Sequence, residues 1–284
     1  MKRSLIRLDW WLLIPVLILL ALGLTTLSSI GFIYVEGQVL SIMLGLASYL
    51  FFAQLRPDSI RRFAKPIYIL ALILLGIVLI FGFESRGAVR WIDIFGISIQ
   101  FSEILKPLLA VSFSSYLAAH PERSFRSYLM SFLLLSPIVL LIGLQPDLGT
   151  ALIYAGVVLI VLFVYGYPGI WFFLASLPFL ISMPFLWTVL HDYQRQRILT
   201  FFNPMSDPQG TSYNAMQAVI AVGSGMLLGK GIQESTQSHL RFLPERQTDF
   251  IFAAFAEEWG FFGVTLLIIL YGMVIWRILK ISSK

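Results

Sequence analysis

Residues 11–31, WLLIPVLILLALGLTTLSSIG, carry no charge, and about 20 apolar residues in helical conformation are what a ~30 Å hydrocarbon core requires. Comparable stretches follow at 38–53, 67–83, 103–119, 128–144, 148–166, 169–190 and 250–276. They predict an all-α, polytopic helical membrane protein with about eight transmembrane helices, forming a single integral-membrane domain over residues 1–284. The composition agrees: 58% of the 284 residues are apolar and 12% are charged, against roughly 25% charged in soluble domains. A water-soluble globule, a disordered chain and a collagen are excluded. The absence of Cys removes thiol catalysis, disulfide scaffolds and Cys-ligated metals as well.

An even number of spans puts both ends on one side. Lys2, Arg3 and Arg7 precede the first span, and Arg56, Arg61, Arg62 and Lys65 follow the second. Arg123 and Arg126 follow the fourth, and Arg277, Lys280 and Lys284 close the chain, whereas the short segments opposite hold only Arg86 and Arg90. Short cytoplasmic loops are enriched in Lys and Arg, so this bias predicts cytoplasmic termini. Lys2, Arg3 and Arg7 imitate the start of a signal peptide, but the apolar stretch after them is too long and no small-x-small site closes it. The long segments 84–102 and 191–249 and the turn 145–147 then share the extracytoplasmic side, where chemistry is expected. No internal repeat is visible, which weakens an inverted-repeat transporter reading.

A charge in hydrocarbon costs at least about 2.5–3.5 kcal/mol, so ionisable residues in spans mark candidate sites. Glu103 and Lys106 lie three apart, share a helical face and are placed for a salt bridge pointing into the bundle. That pair either orients the helix or serves a substrate, and Pro107 beside it frees backbone carbonyls. In the turn Gln145-Pro146-Asp147-Leu148-Gly149-Thr150, Pro146 and Gly149 are breakers. Asp147 either caps the next helix through the N–H of Gly149 or Thr150, or meets a sugar, a cation or Lys106.

The outer segment 191–249 opens on turn formers, Asn203, Pro204, Asp207, Pro208 and Gly210. Tyr213–Leu228, YNAMQAVIAVGSGMLL, includes Gln217 and is too short and glycine-broken to span, so a re-entrant or interfacial helix is expected. The backbone N–H groups around Gly223, Gly225, Gly229 and Gly231, with Lys230 among them, suit an anion such as a diphosphate. Phe242-Leu243-Pro244-Glu245-Arg246-Gln247-Thr248-Asp249-Phe250 then sets three charges before an apolar span, with Glu257 and Glu258 two turns further in. Asp249 and Glu257 fall on roughly one helical face, where carboxylates sharing a cavity raise one another's pKa. The plainer readings are a helix N-terminal charge for Asp249 and hydrogen-bonded buried carboxylates for Glu257 and Glu258.

The QPDLGT turn, the run from Tyr213 to Gly231, the stretch FLPERQTDFIFAAFAEEWGFFG from Phe242 to Gly263, and Trp91 with Gln100–Lys106 together resemble the SEDS family, the RodA, FtsW and SpoVE peptidoglycan polymerases. The resemblance covers about residues 8–276 and is nearer the RodA branch. It implies a glycosyltransferase that polymerises lipid II on the outer face of the bacterial cytoplasmic membrane, by inverting transfer with release of undecaprenyl diphosphate. It further implies a class B penicillin-binding protein as partner within the elongation or division machinery. The family's essential acid falls on Asp249, its paired charges on Glu103 and Lys106, and its QPDLGT aspartate on Asp147. Gln217, Lys230, Glu245, Arg246 and Glu258 are expected to support the site. Relatives usually continue through two further helices, so the chain is expected to be short at its C-terminal end.

Inverting chemistry requires a base for the acceptor hydroxyl and stabilisation of the departing diphosphate. Asp249 is expected as base, and Lys106, Arg246 or a divalent cation as stabiliser. An ordinary Asp near ~3.9 is a poor base at neutral pH, so burial or a neighbouring carboxylate is expected to raise it. No prosthetic group is expected, and any Mg²⁺ or Mn²⁺ is expected on oxygen ligands at Asp147 or Asp249. Membrane lipid surrounds the chain, and nothing points to nucleic acid. The competing readings are a flippase for lipid-linked cell-wall precursors and a non-enzymatic scaffold for the transpeptidase. The cysteine-free chain allows a direct test of sidedness. A membrane-impermeant maleimide should label the Ser206→Cys protein on intact cells and the Ser59→Cys protein only after permeabilisation; the reverse pattern contradicts the topology.

Overall fold

The computed structural model describes residues 8–55, 61–85, 88–94, 97–190, 192–202, 213–239 and 242–282. The turn formers from Asn203 to Gly210 lie outside them. Each apolar stretch is a helix: α1 (Trp10–Ile30), α2 (Ile33–Gln54), α3 (Ala64–Phe81), α4 (Phe101–Ala119), α5 (Phe125–Leu144), α6 (Leu148–Tyr165) and α7 (Gly169–Val189). Three shorter helices follow, α8 (Asp192–Phe202), α9 (Tyr213–Ser224) and α10 (Thr236–His239), before α11 (Ile251–Ser282). Six of them, α1, α2, α3, α5, α6 and α11, are long and apolar enough to cross a membrane. Glu103, Lys106 and four serines dilute α4, and α7 is uncharged and apolar along its length.

Two compact units emerge, one from Leu55–Pro184 and the other from the described parts of Met1–Gln54 and Phe185–Lys284. In the first, helical periodicity sets the core. Leu105, Leu109, Phe113 and Leu117 recur every fourth residue along α4 and are buried against Ala71 and Leu75 of α3, Leu135, Ile138 and Ile142 of α5, and Ala151, Tyr154, Val158 and Leu162 of α6. Apolar contact alone does not orient helices in lipid, so polar cross-links matter. Tyr68 donates to the carbonyl of Leu134 at 2.7 Å, Tyr154 to that of Ser102 at 2.7 Å, and Gln145 to that of Leu75 at 3.0 Å.

The segment after α3 departs from the all-α expectation. It forms an antiparallel meander of β1 (Phe83–Ser85), β2 (Ala88–Ile94) and β3 (Ile97–Ile99), with Phe83 opposite Trp91 and Ile92 opposite Ile99. Backbone outside a helix finds its hydrogen bonds in a ladder, and β2 packs on the ends of α3 and α4.

In the second unit α1 runs antiparallel to α11. Arg277 of α11 grips Asp9, the cap of α1, with Nη2 and Nε at 2.7 and 2.9 Å, and at the other end Ser29 donates to the carboxylate of Glu258. The Arg277 guanidinium holds the Asp9 carboxyl below its ordinary 3.8. That end therefore contributes stability above the unfolded carboxylate range and loses it as pH falls through the depressed value.

The last span, expected as one helix, is two. Gly260 breaks α11 with φ 62° and ψ −163°, leaving a half-helix over 251–259 and a long helix over 261–282. The groups this break frees are taken up by the turn after α9. Lys230 and Gly231 donate their N–H to the carbonyls of Glu257 and Glu258 at 2.9 and 3.1 Å. Phe261 and Phe262 donate to the carbonyls of Met226 and Leu227 at 2.8 and 3.2 Å. Gly225, Gly229 and Gly260 permit the approach, since a Cβ on any of them would collide with backbone atoms of the facing segment. Gly260→Ala should cost at least about 1–3 kcal/mol for its backbone alone and lower the Tm in detergent. Gly76→Ala, where no atom lies within 4 Å, should leave it nearly unchanged. Equal Tm values for the two variants contradict the tight junction.

Candidate functional site

In the Leu55–Pro184 unit the polar centre is Asp147. Its side chain caps α6, accepting from the N–H and hydroxyl of Thr150 at 3.2 and 2.9 Å, as the helix-cap reading expects. The other oxygen also receives Gln100 Nε2 at 3.1 Å and Arg90 Nη1 at 3.4 Å. With 7% of its side chain exposed, Asp147 is a buried carboxylate neutralised by a guanidinium that β2 delivers. Lys106 is not its partner. Lys106 Nζ sits 2.7 Å from both oxygens of Glu103.

The Glu103–Lys106 pair is therefore real, but it does not point into this unit's core. Glu103 is 51% exposed because it lies two positions from Leu105, on the opposite side of the helix from the buried face. A pair this exposed adds about 0–1 kcal/mol of stability.

The second unit holds the remaining candidates. Glu257 is fully buried, and its Oε1 accepts from Lys230 Nζ at 2.9 Å, the N–H of Gln237 at 3.0 Å and Thr236 Oγ1 at 3.3 Å. This company differs from the expected one. The carboxylate predicted to share a cavity with Asp249 meets an ammonium, and the Lys230 predicted to meet an anion is bonded to Glu257. The glycine turn is no diphosphate cradle either, because the N–H groups of Gly229, Lys230 and Gly231 already donate to the carbonyls of Gly225, Glu257 and Glu258. Glu258, 2% exposed, is tied to Ser29. Both carboxylates thus follow the structural reading: they fasten the broken α11 to its neighbours.

Ahead of α11, residues 244–250 wind through tight turns. Glu245 takes φ 51°, and its carbonyl receives the N–H groups of Thr248 and Phe250 at 3.1 and 3.2 Å. Its carboxylate accepts from Thr248 Oγ1 at 3.3 Å and Gln247 Nε2 at 3.4 Å, so Glu245 shapes the turn that presents Asp249. Arg246 and Gln217 are half-buried. Asp249 is exposed and borders a cleft of about 280 Å³ whose other walls are Ala218, Val219 and Val222 of α9 with Phe250, Phe252 and Ala253. An accessible carboxylate on an apolar wall is able to take a proton from a polar group carried by a lipid. Among the described residues no three acidic or His side chains gather as a metal site. Asp147, with a guanidinium and an amide already on it, has the wrong donor set for a divalent cation.

The residue that sequence reasoning missed is Arg90. In the sequence it stands out only as one of two basic residues in the segment 84–102, and 57 positions separate it from Asp147.

The family model described as "Cell cycle protein", for FtsW, RodA and SpoVE, matches residues 3–284. This chain belongs to that family. Among FtsW/RodA/SpoVE relatives it is 38% identical over 284 residues to the peptidoglycan glycosyltransferase MrdB of Escherichia coli K12, covering 95% of this chain and 76% of that protein. It is 32% identical over 290 residues to the probable peptidoglycan glycosyltransferase FtsW of Hydrogenovibrio crunogenus, covering 97% and 74%. Of solved structures, the rod shape determining protein RodA of Thermus thermophilus superposes with a TM-score of 0.67 at 28% identity, covering 97% and 75%. A chain from a peptidoglycan synthase complex, described for the coordination of polymerisation and crosslinking, gives 0.78 at 31% identity, covering 96% and 77%.

The ion pair at the junction generates a prediction. Lys230→Met leaves the Glu257 carboxylate buried without its cation and should cost on the order of 3–5 kcal/mol. Joining Glu257→Gln to it should cost less than the sum of the two single changes, as read from Tm in detergent. Additive losses contradict the pairing.

Proposed function

We infer that this chain is a peptidoglycan glycosyltransferase that polymerises lipid II into glycan strands at the outer face of the bacterial cytoplasmic membrane, within the cell-elongation machinery. The observation that carries the reading is Asp249: an exposed carboxylate at the start of a half-helix, presented by a fixed turn beside an apolar cleft. The names of the relatives above support the chemistry, and the greater identity to MrdB supports the elongation branch.

In the proposed reaction the acceptor sugar's 4-hydroxyl oxygen attacks the anomeric carbon of the donor, and the bond from that carbon to the lipid diphosphate breaks. Asp249 takes the hydroxyl proton, the diphosphate leaves with the bonding electrons, and an α-linked donor gives a β-linked product in one displacement. Arg246, three residues before Asp249 on the same turn-rich segment, is the cation assigned to the departing diphosphate. Lys106, held by Glu103, is not needed for that role. A Mg²⁺ or Mn²⁺ that enters with the diphosphate would be held through Asp249 and would neutralise leaving-group charge. Lipid tails lie along apolar helices, which is why a sugar transferase is built from spans. The complex described for the synthase chain supports a class B penicillin-binding transpeptidase as partner.

Purified protein given labelled lipid II should form glycan polymer, and Asp249→Asn should lower the rate by 10² or more while leaving the Tm within about 2 °C, the shift expected of a change below 0.5 kcal/mol. Polymerisation by the variant at the wild-type rate overturns the assignment. Lipid transport across vesicles without polymer would replace the reading with a flippase.

A further inference from the structure

A larger cavity, of about 1120 Å³, lies in the Leu55–Pro184 unit at the ends of α3, α4 and α5 opposite the Asp147 turn. Its lining comes from these helix ends and from the connections after the second and fourth spans, the side that the Lys and Arg bias makes cytoplasmic. Arg61, Arg62, Lys65 and Arg126 stand at its mouth, all exposed. None of these four makes an ion pair or side-chain hydrogen bond with a described residue. The acid among the lining residues is Glu122, and His120 turns a ring nitrogen to its own helix, 2.9 Å from the carbonyl of Tyr116. Where the lining side chains are more buried the wall is apolar and aromatic: Phe113 is buried, and Tyr68, Met130 and Leu134 are partly buried.

We propose that this cavity binds an anionic phospholipid of the cytoplasmic leaflet. The phosphate of the head group sits among Arg61, Arg62, Lys65 and Arg126, and the first part of an acyl chain runs over Tyr68, Met130 and Leu134. Charge complementarity selects the head group, since four cations without partners face one carboxylate. The graded wall selects a lipid over a free anion, because a free phosphate leaves the apolar depth unfilled. The volume agrees, exceeding the roughly 300–1,000 Å³ of ordinary small-molecule pockets. Basic pockets between membrane helices on this side are where acidic head groups are held. The inference is independent of the transferase reading, because no residue of the cavity takes part in the proposed reaction.

The test uses the full chain in detergent and counts bound lipid by native mass spectrometry during titration with phosphatidylglycerol. Phosphatidylcholine serves as the neutral lipid and inorganic phosphate as the free anion. Wild type should retain phosphatidylglycerol over phosphatidylcholine. Replacing Arg61, Arg62, Lys65 and Arg126 by Gln should weaken retention roughly fivefold per charge removed. Replacing Lys2, Arg3 and Arg7 by Gln, which removes charge from the same membrane face, should change retention less than twofold. If the fourfold variant does not fold, Lys65→Gln with Arg126→Gln serves, with about a 25-fold loss expected. Equal loss in the Lys2/Arg3/Arg7 variant, equal retention of phosphatidylcholine, or displacement of the lipid by millimolar phosphate overturns the proposal.

Discussion

The structure turns on a helix that is broken inside a long apolar run. In hydrocarbon every backbone N–H and C=O must be satisfied within the protein, so an interruption in a span is stable only if another segment supplies partners. At Gly260 those partners come from Met226, Leu227, Lys230 and Gly231, and three glycines permit the contact. Glu257 and Lys230 fasten the junction from one side, and Glu258 and Ser29 tie it to α1 from the other. The half-helix over 251–259, with Asp249 just ahead of it, is thereby held by backbone and ionic bonds rather than by apolar contact, which in lipid supplies little orientation.

This division of labour sorts the charges of the chain. Asp147, Glu257, Glu258 and Asp9 are each bound to a named donor, and each holds one segment to another. Asp249 differs in being exposed beside a cleft, at the end of a turn that Glu245 shapes. The proposed chemistry needs that combination within the second unit: buried charges that fix the broken α11, and an exposed carboxylate at the start of its half-helix.

What the sequence revealed follows from the range of each interaction. The apolar stretches were legible because apolar windows and helical periodicity are local: seven of the eight windows are single helices within a few residues of their expected ends, and the eighth is helical but split at Gly260 and runs on to Ser282. The Asp147 cap was legible for the same reason, acting within three positions. The break in α11 was not, because one glycine in a long apolar run is unremarkable until its partners are known. Arg90 with Asp147, and Lys230 with Glu257, join residues 57 and 27 positions apart, beyond any local pattern. The strands β1, β2 and β3 and the polar helix α8 carry no membrane-like signal, and nothing in the sequence reading separates them from the connections around them. Lys230 among glycines suggested an anion site, and only the fold shows that its charge is consumed by a buried carboxylate.

Hydrogen exchange resolved by mass spectrometry, on the full chain in lipid nanodiscs, tests the junction most directly. If the glycine turn satisfies the broken helix, the amides of Lys230, Gly231, Phe261 and Phe262 exchange as slowly as those in the middle of α11, although two of the four lie in a turn. Exchange of these four at the rate of freely solvated loop amides would contradict the account.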